Sequence, residues 1–178
     1  LLRAPTAITA QVNYVKKVVF PLHLLPLVPL GSALFHFMFS LIILLGATYW
    51  LMGNVPLTAL WLPVIVLPFM IALMGAGWLL ASLGVYLRDI GQLISLLVTI
   101  LLFLSPIFYP PEALPEAWRP LLSLNPLTLI IEQARGAVLW GVTPNFVKLG
   151  IYALASIAFA LLGFGWFQKT RKGFADVL

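Results

Sequence analysis

Long apolar tracts separated by short polar interruptions dominate this chain. A transmembrane helix needs about 20 mostly apolar residues, because each residue adds about 1.5 Å along the axis and the hydrocarbon core of a bilayer is about 30 Å thick. Four tracts meet this requirement, at roughly residues 27–51, 57–87, 90–109 and 149–167. They are apolar on every side, as expected of helices solvated by lipid. The pattern predicts an all-α integral membrane protein with about four transmembrane helices.

A different pattern occupies residues 110–147, between the third and fourth tracts. This region is rich in proline and holds three of the five acidic residues, yet it includes an apolar stretch. Asn125 precedes Pro126 there, which is typical of a helix N-cap followed by proline in the first turn. Glu132 and Arg135 follow on the same predicted helix. Their spacing permits a local ion pair, whereas ionisable groups at membrane depth also suggest a functional position, here an outer gate.

The distribution of basic residues decides whether that apolar stretch is a fifth span. With four spans, seven basic residues lie on one side of the membrane and three on the other. The seven are Arg3, Lys16, Lys17, Arg88, Lys169, Arg171 and Lys172, and the three are Arg119, Arg135 and Lys148. A fifth span would place the C-terminal lysines opposite the N-terminal ones, against the positive-inside rule. We therefore expect both ends of the chain in the cytoplasm and residues 110–147 as an outer-side re-entrant segment.

Composition narrows the function classes. Hydrophobic residues make up 62% of the chain and charged residues 8%, against about 25% charged residues in soluble domains. Cysteine is absent and the two histidines have no partners at metal-ligand spacing, so no disulfide and no metal site is predicted. The basic residues are too dispersed for a face that binds nucleic acid. The sequence has no G-x-x-x-x-G-K-[ST] loop, so any ATP hydrolysis must take place on another polypeptide.

Two further polar stretches interrupt the apolar pattern on the predicted cytoplasmic side. Arg88 and Asp89 separate the second and third tracts, where we expect a hairpin turn with Arg88 as an anchor and Asp89 as the cap of the third helix. The second stretch, "NYVKKVVFP", surrounds Lys16 and Lys17. From composition alone it could be a basic patch held at anionic lipid headgroups, and a helix in this stretch would end at Phe20, because the residue before a proline is pushed out of helical geometry.

Three stretches together resemble the membrane subunits of ABC-2 type exporters, in particular those for O-antigen, capsule and teichoic-acid-like polysaccharides. The most specific is "LGVYLRDIGQLISLLVTILLFLSPIFYP" at residues 83–110, in which an R-D turn precedes a span that ends in S-P-I-x-Y. The others are "NYVKKVVFPLHLLPL" at residues 13–27 and "LLSLNPLTLIIEQAR" at residues 121–135. The family's subunits have six spans. The resemblance therefore implies that this chain, which starts without an initiator methionine, lacks the first two.

The resemblance also implies a partner. Residues 6–21 would form a cytoplasmic interface helix that docks into a cleft of a separate ATPase subunit, with ATP and magnesium bound by that partner and no cofactor in this chain. The expected coupling residues are Asn13, Lys16, Lys17, Phe20, Arg88 and Asp89. Two copies of the ATPase would bind a homodimer of this chain in the inner membrane of a bacterium.

Aromatic residues near the span ends permit two interpretations. They are typical of the interfacial belts of membrane proteins. A flat apolar ring also suits the C–H groups of a sugar, and the resemblance implies that aromatic side chains line the channel of such exporters. The candidates for a translocation path are Phe35, Phe39, Phe103, Phe108 and Tyr109.

The expected function is export of a lipid-linked polysaccharide from the cytoplasm, with this chain as the membrane subunit. An ABC-2 permease for drugs or small lipids shares the architecture and is the nearest alternative. An integral membrane enzyme acting on lipid-linked sugars would need paired carboxylates or a histidine cluster on one membrane face, and this chain has five acidic residues in all. A purely structural scaffold is disfavoured by the cost of polar groups buried in the outer segment.

Overall fold

The computed structural model of the chain describes residues 1–11, 21–87, 89–107, 109, 122 and 125–177. Within these residues the regular secondary structure is helical and includes no strand. The α-helices are α1 (Val28–Met52), α2 (Leu62–Tyr86), α3 (Ile90–Phe103), α4 (Pro126–Leu139), α5 (Phe146–Thr170) and α6 (Phe174–Val177). Short 3-10 helices occupy Thr9–Gln11, Leu22–Leu27, Leu57–Trp61 and Arg171–Gly173.

In the part of the chain that the structure describes, three helical stretches are long and apolar enough to cross a membrane, namely Leu22–Met52, Leu57–Tyr86 and Phe146–Gly173. They correspond to the first, second and fourth predicted tracts, which are confirmed as helices. The third predicted tract forms α3, which is shorter than predicted. It has 14 residues, a length of about 21 Å that falls short of the hydrocarbon core.

The sequence Ser105-Pro106 explains why α3 ends early. Proline lacks the backbone N–H that a helix needs, and it disfavours helical geometry at the residue before it. The N–H of Leu104 still bonds to the carbonyl of Ile100 at 2.8 Å, but Ser105 then bonds to Leu102 at 3.2 Å in a tighter turn. The apolar residues beyond Phe103 therefore do not continue the helix, a distinction that hydropathy alone does not make.

α2 and α5 lie at the centre of the fold and run parallel to each other. The first turns of the two helices lie together, and so do their last turns. Ile65 of α2 and Leu149 of α5 share one buried cluster with Ile130 and Ala137 of α4. We call this the α4 end of the fold. The last turns of α2 and α5 meet at the opposite end, which we call the terminal end because residues near both chain termini pack there.

Small residues allow α2 and α5 to cross closely. A Cβ atom on Gly75 would lie 2.7 Å from the Cα atom of Ala160, and one on Gly163 would run into the backbone of Gly75. Side chains at these two positions would hold the helices apart. Close backbone approach through glycine and alanine is a common way to pack helices inside a membrane, where burial of apolar surface does not drive association.

At the terminal end, the N-terminal segment and α6 close over the central pair. The buried cluster consists of Ile8, Ala81, Val85, Phe167 and Phe174. Ile8 and Phe174 are both fully buried in it. Gly84 lies so close to the backbone of Pro5 that a Cβ atom would not fit. A hydrogen bond of 2.7 Å also joins the hydroxyls of Ser82 and Thr170. The residues before position 12 are thereby held against α2 and α5.

At the α4 end, α4 is tied to the starts of both central helices. It has 14 residues, too few to span a bilayer. Oγ1 of Thr58, in the turn before α2, donates to the carbonyl of Ala137 at 2.6 Å. The side-chain oxygen of Gln133 accepts from the N–H of Asn145, just before α5, at 2.7 Å. The apolar stretch that raised the question of a fifth span therefore forms a short helix at one end of the fold.

α1 and α3 lie at the periphery. Thr48 is the only buried residue of α1, and none of the residues of α3 is buried. The 3-10 turn that leads into α1 is held by Trp78 of α2, whose Nε1 donates to the carbonyl of His23 at 2.9 Å. In a membrane, the apolar surfaces of α1 and α3 therefore face lipid or another protein surface.

Candidate functional site

Polar side chains connect the end of α3 to the start of α4. Asn125 is 3% exposed and Ser105 is fully buried. Nδ2 of Asn125 donates to the carbonyl of Leu101 at 3.0 Å and to Oγ of Ser105 at 2.9 Å. Oδ1 of the same amide accepts from the N–H of Leu127 at 2.9 Å, which confirms the predicted N-cap. One side chain thus serves the C-terminus of α3 and the N-terminus of α4.

Arg135 makes a second connection between these elements. Its Nη2 donates to the carbonyl of Pro106 at 2.7 Å and to that of Ile107 at 3.3 Å. Glu132 is exposed, and in the part of the chain that the structure describes it forms no ion pair with Arg135. The predicted local pair is therefore wrong, because carbonyl groups left free after α3 attract the guanidinium instead. An outer-gate role for Glu132 and Arg135 stays a prediction.

We call this arrangement the α3–α4 joint. It comprises Leu101, Ser105, Pro106, Ile107, Asn125 and Arg135. The last carbonyl groups of a helix lack partners within it, and leaving them buried without donors is costly. Oγ of Ser105 also donates to the carbonyl of Leu101, at 2.6 Å, so that carbonyl receives two donors. The S-P-I and N-P-L stretches, which the sequence analysis identified separately, therefore meet at one point.

A cavity of about 820 Å³ lies between α1, α2, α3 and α5. Most of its lining is aliphatic or aromatic. Its polar lining residues are Arg3, Ser32, His36, Tyr152 and Ser156. The hydroxyl of Tyr152 is buried and has no hydrogen-bond partner among the described residues. Neither Tyr152 nor Ser156 is predicted from the sequence, because nothing within an apolar tract indicates which of its faces meets a cavity.

A second cavity, of about 490 Å³, lies between α1, α2 and α4. Leucine, isoleucine, valine and phenylalanine side chains form most of its lining, and Arg135 is the only charged residue lining it in the described part of the chain. Since Arg135 also belongs to the α3–α4 joint, this cavity extends from the joint to α1.

The aromatic candidates for a translocation path fall into two separate groups. Phe35 and Phe39 lie on α1 with ring centroids 4.8 Å apart, and they are 60% and 54% exposed. Phe103 is 66% exposed at the end of α3, and the hydroxyl of Tyr109 donates to its carbonyl at 3.0 Å. None of these four side chains lines either cavity described above. Phe108 lies outside the described residues, and a role for all five in translocation stays a prediction.

Most of the predicted coupling residues lie outside the described residues, namely Asn13, Lys16, Lys17, Phe20 and Arg88. The same holds for residues 12–20 of the interface helix predicted at 6–21. Residues 1–11 form turns and the 3-10 helix Thr9–Gln11.

Asp89 is exposed at the N-cap position of α3. Its side chain makes no capping hydrogen bond with the described residues, so the predicted cap is wrong. The backbone carbonyl of Asp89 instead accepts from the N–H of Gln92 at 3.1 Å. With this backbone bond the first turn of α3 forms without the carboxylate, which is left exposed at the turn.

A smaller cavity of about 300 Å³ brings the N-terminal segment next to this turn. Pro5, Thr6 and Thr9 line it from the N-terminal segment, and Ile90 and Gly91 line it from the start of α3. Thr6 and Thr9, which belong to the predicted interface helix at 6–21, therefore adjoin the start of α3 at the terminal end of the fold.

Comparison with known proteins gives one family and several relatives. Residues 2–139 match the model of the family described as ABC-2 type transporter. Two O-antigen export system permease proteins RfbA from Klebsiella pneumoniae are 25% and 26% identical to this chain, and each match covers 95% of this chain and 65% of the relative. The protein of the same name from Myxococcus xanthus is 27% identical, over 96% of this chain and 66% of its own length. The chain thus spans about two thirds of the length of these relatives.

Proposed function

Because this chain belongs to the ABC-2 type transporter family, we propose that it is the membrane subunit of an ATP-driven exporter of lipid-linked polysaccharide. The glycan would be of the O-antigen, capsule or teichoic-acid type and would leave the cytoplasm across the bacterial inner membrane. The observation that carries this proposal is similarity to O-antigen export permeases over 95% of the chain. Three helices capable of crossing a membrane agree with a multi-pass subunit.

The proposal includes a separate ATPase. The chain contains no phosphate-binding loop, so ATP and magnesium would bind to the partner. Two ATPase subunits would act on a homodimer of this chain. Docking would involve the interface helix predicted at residues 6–21, with Asn13, Lys16, Lys17 and Phe20, and the turn at Arg88 and Asp89.

The packing at the terminal end supports a route for force from that partner. Residues 12–20 directly follow the N-terminal segment, in which Ile8 is fully buried against α2, α5 and α6. A push on the docking segment would therefore reach both central helices through the buried cluster that joins Ile8 to Val85 of α2 and Phe167 of α5. The adjacent turn at Asp89 leads directly into α3, so the same push would also reach α3.

The lining of the cavities favours one second candidate, a permease for drugs or small lipids. Both cavities between α1 and the central helices are lined mainly by apolar side chains. An apolar lining suits an acyl or prenyl chain better than a hydrated glycan. Under the main proposal this surface would contact the lipid anchor of the substrate, and under the alternative it would hold the whole substrate.

Deletion of the gene in its native host tests the proposed function. Surface glycan should disappear, and lipid-linked glycan should accumulate on the cytoplasmic side, as measured with a glycan-specific lectin or antibody before and after permeabilisation. Expression of the wild-type protein should restore the surface signal. Unchanged surface glycan would contradict the main proposal. Unchanged glycan together with altered export of a lipid or drug would support the second candidate.

A further inference from the structure

We propose that Asn125 is a positioning residue that anchors the outer end of α3 to the core formed by α2, α4 and α5, so that α3 moves by swinging about this joint. In this inference the α3–α4 joint stays closed during transport. The part of the inference that concerns movement rests on the proposed function, whereas the anchoring itself does not.

The chemistry of the asparagine side chain is what makes the anchor. An amide has both an acceptor and a donor, and Asn125 uses them on different helices. Its oxygen caps α4 through the N–H of Leu127. Its nitrogen donates to the end of α3, at Leu101 and Ser105. Aspartate at this position would keep the cap but lose the donor, and it would place a carboxylate against the carbonyl of Leu101.

Arg135 gives the joint a second point of attachment. It bonds to the carbonyls of Pro106 and Ile107, beyond the two positions that Asn125 holds. In a helix, side chains lean toward the N-terminus, so a long side chain from the middle of α4 can reach back to the turn. Asn125 thus holds the turn up to Ser105 and Arg135 holds it beyond Ser105, so together they fix its direction as well as its position.

The two sides of the joint differ in how firmly they are held. On the α4 side, Ile130 and Ala137 are buried against α2 and α5, and the carbonyl of Ala137 accepts from Thr58. On the other side, none of the residues of α3 is buried. Movement of α4 would disrupt a packed core, whereas movement of α3 would not. The other end of α3 is joined to α2 by the turn at Asp89, where the N–H of Ile90 donates to the carbonyl of Leu87 at 3.3 Å. The joint, with its shorter bonds of 2.7–3.0 Å at Leu101, Ser105 and Pro106, is therefore the firmer attachment, and the Asp89 end is the end expected to move.

The opposite arrangement, in which the joint itself opens as an outer gate, makes a different prediction. An opening joint would break the buried hydrogen bonds of Asn125 and expose the carbonyl of Leu101. A fixed joint keeps these bonds in every state. The distance across the joint therefore distinguishes a pivot from a gate.

Two pairs of spin labels test this directly, and the absence of native cysteine makes each label specific. Ile107→Cys with Trp140→Cys reports on the joint, and Leu93→Cys with Trp166→Cys reports on the Asp89 end of α3. All four positions are exposed. Distances are measured by pulsed electron paramagnetic resonance in the full chain, alone and in complex with the ATPase, with and without ATP.

The expected result is a joint distance that does not change with ATP, while the distance at the Asp89 end shifts. A change at the joint as large as that at the Asp89 end would overturn the inference, and so would the absence of change in both pairs.

The anchoring is measured separately in the isolated chain. Asn125→Asp should broaden the distance distribution across the joint, and Ser105→Ala should broaden it less. Asn125→Asp and Ser105→Ala should also lower Tm by less together than the sum of their separate effects, because they remove one shared interaction. An unchanged distribution in Asn125→Asp would overturn the anchor. Failure of any ATPase to bind would count against the proposed function and leave this measurement intact.

Discussion

The hydroxyl of Tyr86, at the end of α2, donates a hydrogen bond of 2.9 Å to the backbone carbonyl of Thr170, at the end of α5. This bond joins the last turns of the two central helices. The ring of Tyr86 also lies 6.0 Å from that of Phe174. The terminal end of the fold is thus closed by a polar contact beside an aromatic one.

Replacement of Tyr86 by phenylalanine should weaken this closure. Removal of the hydroxyl while the ring is kept should lower the free energy of unfolding by about 0.5–1.5 kcal/mol, the usual net contribution of one hydrogen bond. Thermal unfolding of the purified protein measures the effect. Tyr49→Phe is the matched control, because Tyr49 is 64% exposed on α1. Equal effects of the two substitutions would contradict the assigned role of the Tyr86 hydroxyl.

The crossing of α2 and α5 should not tolerate a methyl group at Gly163. The added Cβ would meet the backbone of Gly75, which cannot move aside as a flexible side chain could. We expect Gly163→Ala to lower the free energy of unfolding by about 1–3 kcal/mol, as overpacking does. Gly165→Ala is the control on the same helix, since nothing lies within 4 Å of a Cβ atom there. Comparable Tm values for the two variants would show that α2 and α5 can move apart without loss of stability.

The contact between Gly84 and Pro5 should control whether the N-terminal segment stays packed. Gly84→Ala has no room for its Cβ against the Pro5 backbone, so the segment should detach and expose Ile8. In an Ile8→Cys background, the rate of maleimide labelling should rise about tenfold or more, which corresponds to about 1.4 kcal/mol in the opening equilibrium. Gly91→Ala, which meets nothing within 4 Å, should leave the rate unchanged. Slow labelling in both variants would contradict this packing.

Charge reversal at Lys16 and Lys17 should prevent assembly with the ATPase. The double substitution Lys16→Glu/Lys17→Glu replaces two positive charges by two negative ones within the predicted docking helix. We expect at least a tenfold loss of co-purified ATPase. The matched control is Lys16→Arg/Lys17→Arg, which changes the same two side chains but keeps their positive charges. Undiminished assembly of the first variant would eliminate the docking hypothesis, and equal loss in both would show that the charge of these side chains is not what the ATPase recognises.

Sequence reasoning predicted the elements of this fold better than their contacts. The helices at α1, α2 and α5 follow from apolar tracts long enough to span a membrane, and the start of α4 follows from the local chemistry of Asn125 and Pro126. The length of α3 was overestimated, because residues up to Tyr109 are apolar whether or not they are helical. The proline at position 106 was the signal that could have corrected it.

The candidate site was less predictable, for a physical reason. Helical spacing brought Glu132 within reach of Arg135, but the actual partners of Arg135 are carbonyl groups some 28 residues earlier in the chain. Every residue has a backbone carbonyl. Which of these carbonyls is free to accept a hydrogen bond from Arg135 depends on where a helix ends and on what packs beside that end. The cavity that contains Tyr152 likewise depends on the arrangement of four helices, which no single tract specifies.

The parallel course of α2 and α5 has an electrostatic consequence. Each helix carries a dipole equivalent to about half an elementary charge, negative at the C-terminus, so two parallel neighbours place about one negative charge at the terminal end. Lys169, Arg171 and Lys172 are exposed at that same end. They therefore offset the combined dipole of the central pair. The basic residues from which a cytoplasmic C-terminus is predicted are also suited to stabilising two aligned helices that would otherwise repel at their ends.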